Sequence, residues 1–424
     1  MKINEVIDFL GASHQLGRKF RLENIKALLK ELGEPDRRLK VIHVAGTNGK
    51  GSVCASLYHM IMEAGYSVGF FSSPHLYSYL ERFRYNGKMI RESDFCAMMT
   101  RVKEATETIV AKGNDHPTEF EILTALAYLF FDVQGLEYAV MEVGLGGRLD
   151  ATNAVDHPII TIITPLSIEH TEYLGNTIEE IAFEKAGIIK KNVPVVTAPQ
   201  PEGAMRVIRE VAEEHRAPVI VADGGELLEN TLEGIKLRYK GQEYAFALPG
   251  THQLSNAILA IEAMETMRKN NRIDIDEEEI RRGFKNVKWP GRLEKLNDSP
   301  PVYIDGAHNP AAALALKDML AGRHAIAVLG MLAEKDVAGV LDILLPVFDH
   351  VIVTRPVGDR AVEAEEMAEM VRARGKEVIV EKDIKKAVEK AMSMAEGDDI
   401  VLATGSFYLI GEVRNLFYPS HGNI

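Results

Sequence analysis

Residues 39–52, LKVIHVAGTNGKGS, join an apolar run to a turn that holds three glycines and Lys50. The run predicts a buried strand, and the stretch after Lys50 predicts a helix to about Ala64, ended by Gly65. A strand, a glycine-rich turn and a helix in this order aim the N–H groups of the helix start at whatever the turn encloses. The stretch therefore predicts an α/β fold with an anion site after its strand.

The turn differs at two places from the common phosphate loop G-x-x-x-x-G-K-[ST]. Val44 stands at the position of the first glycine, and Gly51 separates Lys50 from Ser52. In such loops, glycines let backbone N–H groups close around phosphate oxygens while the lysine neutralises their charge. A purely structural turn would not require a lysine between two glycines. The predicted phosphate-binding residues are Gly46, Thr47, Asn48, Gly49, Lys50, Gly51 and Ser52.

Strands and helices continue to alternate along the chain. Strands are predicted at KVIHVAG, YSVGFFS, EYAVMEVG, PIITIIT, VPVVTAP and PVIVAD, with helices near 50–64, 92–112, 118–133, 177–190 and 202–215 and a hairpin within 231–248. A second series follows WPGRLEKLNDSPP, with the runs PVYIDG, HAIAVLGM, DHVIVTRP, EVIVEK and DIVLATG. This alternation indicates parallel sheets covered on both faces. We predict two doubly wound α/β domains, an N-terminal P-loop-type ATPase domain at 1–292 and a smaller Rossmann-like domain at 293–424.

The composition is that of an ordinary globular protein, with 46% hydrophobic and 26% charged residues in a chain of 424. Its formal net charge of -13 disfavours nonspecific binding to nucleic acid or to anionic membranes. Glu5 and Asp8 stand where a signal peptide would be apolar, and no apolar run is long enough to cross a membrane. Cys54 and Cys96 lie far apart and suggest neither a disulfide nor a zinc site. We expect a monomer in the cytoplasm.

Polar residues at the ends of neighbouring predicted strands are candidates for a magnesium site, because Mg²⁺ prefers oxygen ligands. Ser73 follows the strand YSVGFF, and Glu142 closes the apolar run EYAVM. A carboxylate at that position is costly to bury unless it is paired or bound to a metal. The alternatives are a turn role for Ser73 before Pro74 and an ion pair between Glu142 and Arg148.

His170 and Lys185 form a second polar group further along the chain. His170 follows the strand IITIITPLS, and Lys185 lies in a predicted helix whose flanks are mostly apolar. A lysine on such a helix usually extends its ammonium group to solvent. Near a metal it would instead lose its proton and act as a neutral amine or a carbamate, because burial and nearby cations both lower a lysine pKa.

Eight motifs occur in one order over nearly the whole chain. They are AGTNGKGS, SSPHL, MEVGLGGRLDATN, EHTEYLGNT with EKAGI, LPGTHQLSNA, WPGRLE, IDGAHNP and ATGSFYLIGE. In this order they resemble the motifs of the folylpolyglutamate synthase and dihydrofolate synthase family, within the Mur ligase superfamily. The resemblance implies an ADP-forming amide ligase that uses ATP to join L-glutamate to folate or dihydropteroate through an acyl phosphate.

The resemblance also implies roles for individual residues. The implied ligands of two Mg²⁺ ions are Ser73, Glu142, His170 and Lys185, with Lys185 carboxylated by CO2. The implied ATP contacts beyond the loop are Asn256, Arg292, Asp305 and His308, with Asp305 at the ribose. Folate or glutamate would be positioned by Asp150, His308 and Ser406. The implied catalytic residues are Lys50, Lys185, His170 and Arg292. In one departure, Glu169 replaces the Asp that usually precedes the metal histidine, which puts a longer side chain beside His170.

Two rival functions share the phosphate loop. A Mur-type amino-acid ligase typically carries a UDP-sugar-binding domain before the loop, and the roughly forty residues that precede it here are too few for one. A regulatory P-loop ATPase has no need for Glu142, His170 and Lys185, and the N-K-x-D tetrapeptide of guanine recognition is not found. In the ligase interpretation, closure about residues 289–292 assembles the site from both domains.

Overall fold

The computed structural model describes residues 1–15 and 21–419. Helices of the first part are α1 (Ile3–Gln15), α2 (Glu23–Glu31), α3 (Lys50–Glu63), α4 (Glu92–Ala111), α5 (Glu119–Val133), α6 (Thr171–Leu174), α7 (Ile178–Ala186), α8 (Glu202–Glu214), α9 (Gln253–Lys269) and α10 (Glu277–Asn286). Its strands are β1 (Lys40–Ala45), β2 (Val68–Phe71), β3 (Phe83–Tyr85), β4 (Lys88–Met89), β5 (Tyr138–Glu142), β6 (Ile160–Ile163), β7 (Val195–Thr197), β8 (Val219–Val221), β9 (Glu226–Thr231), β10 (Gly234–Tyr239) and β11 (Gln242–Phe246).

An eight-stranded sheet organises this first part, in the order β4-β3-β2-β5-β1-β6-β7-β8. The strands from β2 to β8 in that order pair in parallel, whereas β3 and β4 form an antiparallel edge. Every residue of β1 after Lys40 is buried, because α3, α9 and α10 cover one face of the sheet and α1, α2, α4 and α5 cover the other. The predicted doubly wound fold is confirmed.

A separate antiparallel sheet follows, in the order β11-β10-β9. The predicted hairpin corresponds to β10 and β11, and its turn places Lys240 and Gly241 both at positive φ, as a two-residue hairpin turn requires. The third strand, β9, was not predicted. Its residues are mostly exposed, so the alternation that reveals a half-buried strand is missing there.

The last part of the chain forms a six-stranded sheet in the order β12-β13-β17-β14-β15-β16. Its strands are β12 (Glu294–Asp298), β13 (Pro301–Asp305), β14 (Ala325–Leu329), β15 (His350–Val353), β16 (Ile379–Val380) and β17 (Ile400–Thr404). Its helices are α11 (Pro310–Leu320), α12 (Val337–Leu344), α13 (Ala364–Arg372), α14 (Ile384–Met394) and α15 (Phe407–Phe417). The five predicted strands are present and parallel, and β12 adds an antiparallel edge that the polar sequence LEKLND did not reveal.

The backbone changes its hydrogen-bond partners between the two parts over only a few residues. Lys288 N–H donates to His59 Nε2 of α3 at 3.4 Å. Three residues later, Gly291 N–H donates to Glu294 Oε2 at 3.0 Å, and its carbonyl accepts from Gly306 at 3.0 Å. The predicted domain boundary after Arg292 lies close to this change of partners and stays a prediction. Across the described ranges, no helix has the length and apolar character needed to cross a membrane.

Candidate active site

The glycines of the predicted phosphate loop are required by the path of the turn between β1 and α3. Gly46 has a φ of +143° and Gly49 a φ of +86°, values that other residues rarely adopt. A Cβ atom on Gly46 would lie 1.8 Å from Thr164 Oγ1, and one on Gly49 would lie 2.1 Å from Asn256 Oδ1. Helix α3 begins directly afterwards, at Lys50. The turn therefore brings α9, through Asn256, against the loop.

Lys50 is held above this turn by the loop itself. Its Nζ donates to the carbonyl oxygens of Gly46 at 2.8 Å and Thr47 at 3.2 Å. The loop is fastened to the segment after β6, because the Thr47 and Asn48 side chains both donate to Ser167. The ammonium group is therefore oriented before any phosphate arrives.

Ser52 and Gly51 lie in the first turn of α3, and each contacts another segment of the chain. Ser52 is buried, and its hydroxyl accepts from Gln253 Nε2 of α9 at 3.4 Å. A Cβ on Gly51 would lie 2.4 Å from Trp289 Cζ2. Both contacts join the start of α3 to segments that are distant in sequence.

Glu142 lies at the end of β5, beside the end of β2, and is buried. Among the described residues it receives one hydrogen bond, from the N–H of Ser73 to Oε2 at 3.3 Å, and forms no ion pair. Burial raises the pKa of Glu142 from 4.5 to about 7, although the charges of Lys50 and Arg292 oppose the shift. The alternative pairing with Arg148 is wrong, because Arg148 binds Glu184 at 2.8 Å. Glu142 is thus a buried carboxylate with no paired cation among the described residues.

Lys185 is buried, and the alternative in which its ammonium group reaches solvent is wrong. Its Nζ donates to the Gly46 carbonyl and to Glu169 Oε1, both at 2.9 Å. Burial, together with the charge of Lys50, lowers the pKa of Lys185 from 10.5 to about 8, even though Glu169 acts in the opposite direction. Helix α7 therefore buries the Lys185 amino group against the phosphate loop.

His170 precedes α6 in the left-handed region, with a φ of +48° that a non-glycine residue adopts only at some cost. Its side chain is half exposed, and Nε2 lies 4.0 Å from Glu169 Oε2. Burial on its other side lowers the pKa of His170, with smaller contributions from Lys185 and Lys335.

The second sheet contributes a further set of predicted residues near its strand ends. Asp305 ends β13, and its two carboxylate oxygens accept from Leu293 N–H at 2.9 Å and Ala307 N–H at 2.8 Å. Burial raises the pKa of Asp305, and the charge of Arg292 opposes that shift. Arg292 therefore lies within electrostatic range of both Asp305 and Glu142, one on each sheet.

Phe407 packs against the Arg292 guanidinium group and the His308 ring. The Arg292 guanidinium lies 5.3 Å from the Phe407 ring centre, and the His308 ring lies 5.5 Å from it. The neighbouring Ser406 accepts from Leu409 N–H at 3.1 Å and caps α15. These contacts give Ser406 a structural role, and its predicted contact with substrate stays a prediction.

Asp150 is buried, and both of its carboxylate oxygens accept hydrogen bonds from residues of its own turn. Oδ2 accepts from the N–H groups of Gly144 and Leu145, and Oδ1 accepts from the N–H and hydroxyl of Thr152. These bonds hold the segment GLGGRLDAT, which follows Glu142 closely in sequence, in its turn. The predicted contact between Asp150 and folate stays a prediction.

Two cations near the site were not predicted from the sequence. Arg82 Nε donates to His75 Nδ1 at 2.9 Å, and its charge favours the carboxylate form of Glu142. Lys335 follows β14, and its charge acts on both His170 and His308. Lys335 lies just beyond the end of a predicted strand, so the rule that ligands bind at the carboxyl ends of parallel strands would have found it.

The four predicted metal ligands are a serine, a glutamate, a histidine and a lysine, so they do not form a site of carboxylate and imidazole groups alone. Within residues 1–15 and 21–419, three His, Cys, Asp or Glu side chains nowhere come together in a way that could hold a metal ion. The predicted set does not need such a cluster, because Ser73 and Lys185 supply two of its four members. Metal binding stays a prediction at this point.

Two sequence families match consecutive parts of the chain. Residues 44–264 match the Mur ligase middle domain, and residues 291–407 match the Mur ligase, glutamate ligase domain. A dihydrofolate synthase/folylpolyglutamate synthase of Bacillus subtilis strain 168 is 37% identical over 414 residues, which cover 94% of this chain and 95% of that protein. The chain belongs to the folylpolyglutamate synthase and dihydrofolate synthase family. The family predicted from the eight motifs is confirmed.

Solved structures of this family have the same fold. The Mycobacterium tuberculosis folylpolyglutamate synthase complexed with ADP and AMPPCP aligns with a TM-score of 0.86 at 34% identity, covering 98% of this chain and 100% of that one. A bifunctional folylpolyglutamate synthase/dihydrofolate synthase from Yersinia pestis, complexed with AMPPNP and Mn ion, aligns with a TM-score of 0.84 at 30% identity. It covers 99% of this chain and 98% of its own.

We expect D150N to destabilise the protein by about 2 to 4 kcal/mol, because the new NH2 group faces at least one backbone N–H donor whichever way the amide lies. The matched variant D156N removes an exposed carboxylate that pairs with Lys26, and should cost less than about 0.5 kcal/mol. Urea unfolding of both variants without substrate measures the difference. Equal stabilities would contradict the structural role of Asp150.

Proposed function

We propose that the chain is an ATP-dependent amide ligase that adds L-glutamate to folates and acts as a folylpolyglutamate synthase. Dihydropteroate is the candidate second acceptor, which would make the enzyme a dihydrofolate synthase as well. The observation that carries the proposal is the arrangement at the strand ends of the first sheet. There the phosphate loop, the buried carboxylate of Glu142 and the buried amine of Lys185 meet within one family fold.

ATP is the phosphoryl donor in this proposal. The loop residues 46–52 would hold its phosphates through backbone N–H groups and the Lys50 ammonium. Asn256 lies against the loop, and the charge of Arg292 acts on both Asp305 and His308 at the second sheet. The ATP site would accordingly be shared between a domain at 1–292 and a domain at 293–424.

A divalent metal, Mg²⁺ in our proposal, fits the residues at this edge of the sheet. Glu142 offers a buried oxygen that forms no ion pair with any cation in residues 1–15 and 21–419, and an oxygen-rich site suits Mg²⁺. Ser73, Glu142, His170 and Lys185 would hold two such ions. When bound, they would neutralise charge on the phosphate groups and polarise them towards the acceptor.

Lys185 fits a carboxylated lysine better than an ordinary one. Carboxylation requires the neutral amine, and a pKa of about 8 leaves a usable fraction neutral near pH 7. The product is an anion beside Lys50, which would replace the present repulsion between the two ammonium groups with attraction. Glu169 would then have to move, because it now occupies the partner position at 2.9 Å.

The reaction begins when a carboxylate oxygen of the acceptor attacks the γ-phosphorus of ATP. The bond between the γ-phosphorus and the bridging oxygen breaks, ADP leaves, and an acyl phosphate forms. Lys50 and Arg292 oppose the negative charge that develops on the transferring group. The amine of L-glutamate then attacks the acyl carbon, and phosphate leaves with the former carboxylate oxygen and takes up the proton that the amine gives up. Asp150, His308 and Ser406 would position the acceptor and the glutamate.

Water must be excluded from the acyl phosphate until the amine arrives. The site draws residues from both sheets, so movement of one sheet towards the other closes it. We further propose that the enzyme works as a monomer on small-molecule substrates in the cytoplasm. The rival functions, a Mur-type amino-acid ligase and a regulatory P-loop ATPase, predict a different acceptor or none.

The direct test is ADP release by the purified protein with Mg-ATP and L-glutamate, supplied with tetrahydrofolate, with 7,8-dihydropteroate or with neither. We expect release to depend on an acceptor and on glutamate. Turnover with tetrahydrofolate alone identifies a dedicated polyglutamate synthase, and turnover with both identifies the bifunctional enzyme. ADP release at the same rate without any acceptor would instead support the regulatory ATPase.

We expect K185A to lose about 100-fold in turnover, because a ligand-supporting group at the metal and the phosphate loop is removed. The matched variant K191A changes an exposed lysine on the same segment and should stay within about twofold of wild type. Labelling with ¹³C-bicarbonate should give a carbamate NMR signal in wild type that is absent from K185A. A fully active wild-type enzyme without that signal would rule out carboxylation.

A further inference from the structure

The only tryptophan of the chain, Trp289, lies where the backbone leaves the first sheet. Its indole packs against the first part of the molecule. The ring centre of Phe70 on β2 lies 5.4 Å away, and the Arg84 guanidinium lies 5.2 Å from the indole. The side chain is therefore fixed between an aromatic ring and a cation.

The indole also presses on the start of α3. A Cβ on Gly51 would lie 2.4 Å from Trp289 Cζ2 and 2.7 Å from Cε2, so no other residue fits beneath the ring. Gly51 lies outside the left-handed region, unlike Gly46 and Gly49. The backbone path therefore does not require glycine at residue 51, whereas the indole does. This contact accounts for the extra glycine between Lys50 and Ser52.

The backbone beyond Trp289 belongs to the other sheet. Lys288 is bonded to His59 of α3, and Gly291 is bonded to Glu294 and Gly306. Pro290 alone separates the indole from Gly291, and its ring restricts the backbone there. Trp289 thus packs on the first part of the molecule three positions before Arg292.

We propose that Trp289 is a positioning residue that couples the phosphate loop to Arg292. Phosphate in the loop orders the first turn of α3, and Gly51 transmits that order to the indole. The indole in turn fixes the short connection that carries Arg292 towards the transferring phosphoryl group. The inference rests on the proposed function, in which ATP occupies the loop, and it adds a means by which the loop aligns a residue near the second sheet.

Intrinsic fluorescence tests the first step, because Trp289 is the sole indole and tryptophan emission therefore reports its surroundings alone. We expect Mg-ATP and ADP to change the emission saturably, with the dissociation constant found by calorimetry, and adenosine to leave it unchanged. Emission that ignores ATP would overturn the proposal. So would an equal response to adenosine, because the indole would then sense the base and not the loop.

A double-mutant cycle with Arg292 tests the second step. W289A should lose about 10-fold in kcat/KM for ATP in the wild-type background and less than about twofold in the R292A background. Losses that simply add would show that Trp289 acts independently of Arg292. The cycle is repeated with W289F, which keeps a ring for Phe70 and Arg84 but lacks the part of the indole that faces Gly51. We expect W289F to lose less kcat/KM for ATP than W289A, and this loss should again be smaller in the R292A background.

The emission measurement separates this inference from the proposed function, because it requires binding and no turnover. A protein that releases no ADP with any acceptor would refute the ligase, while a saturable response to ATP would still support the coupling. In that case the cycle is measured on the calorimetric affinity for ATP. An active ligase with silent emission would refute the coupling alone.

Discussion

The hydrogen bond from the buried Lys185 ammonium group to the Gly46 carbonyl is the interaction on which the site depends. It fastens α7 to the phosphate loop and places a second cation close to Lys50. The arrangement is costly, since lowering the pKa of Lys185 from 10.5 to about 8 corresponds to about 3 kcal/mol against the charged form. Burial also disfavours the charged form of Glu142, because it raises the pKa of that carboxyl from 4.5 to about 7. In the proposed function, phosphate, a divalent metal ion and CO2 would supply the charges that Lys185 and Glu142 lack.

The fold and the phosphate loop could be predicted from the sequence because their signals are local. Apolar runs gave the parallel strands, and glycines around Lys50 marked a turn whose backbone needs them at Gly46 and Gly49. Strands β9 and β12 escaped prediction because their polar residues acquire strand structure only by pairing with a neighbour. The burial of Lys185 could not be decided either, because a helical pattern does not say which face meets the loop. Arg82 comes close to the site only through the tertiary fold, whereas the position of Lys335 after a predicted strand could have revealed it.

The second sheet completes a site that the first sheet begins. The charge of Arg292 acts on both Glu142 and Asp305, although the two carboxylates end strands of different sheets. Its backbone belongs to the short connection between the sheets, so its position depends on how the two parts of the molecule are arranged. Such a division lets a ligase bind ATP on one part and delay phosphoryl transfer until the other part approaches. An acyl phosphate would then form only after closure has excluded the water that could hydrolyse it.

The central claim is that the acceptor carboxylate itself receives the phosphoryl group. The claim is tested most directly with tetrahydrofolate in which both oxygens of the carboxylate that accepts glutamate are ¹⁸O. This substrate is incubated with the enzyme, Mg-ATP and L-glutamate. The account predicts one ¹⁸O atom in each inorganic phosphate released, because the former carboxylate oxygen leaves with the phosphate. Unlabelled phosphate formed together with the glutamylated product would contradict the account, since it would require amide formation without an acyl phosphate.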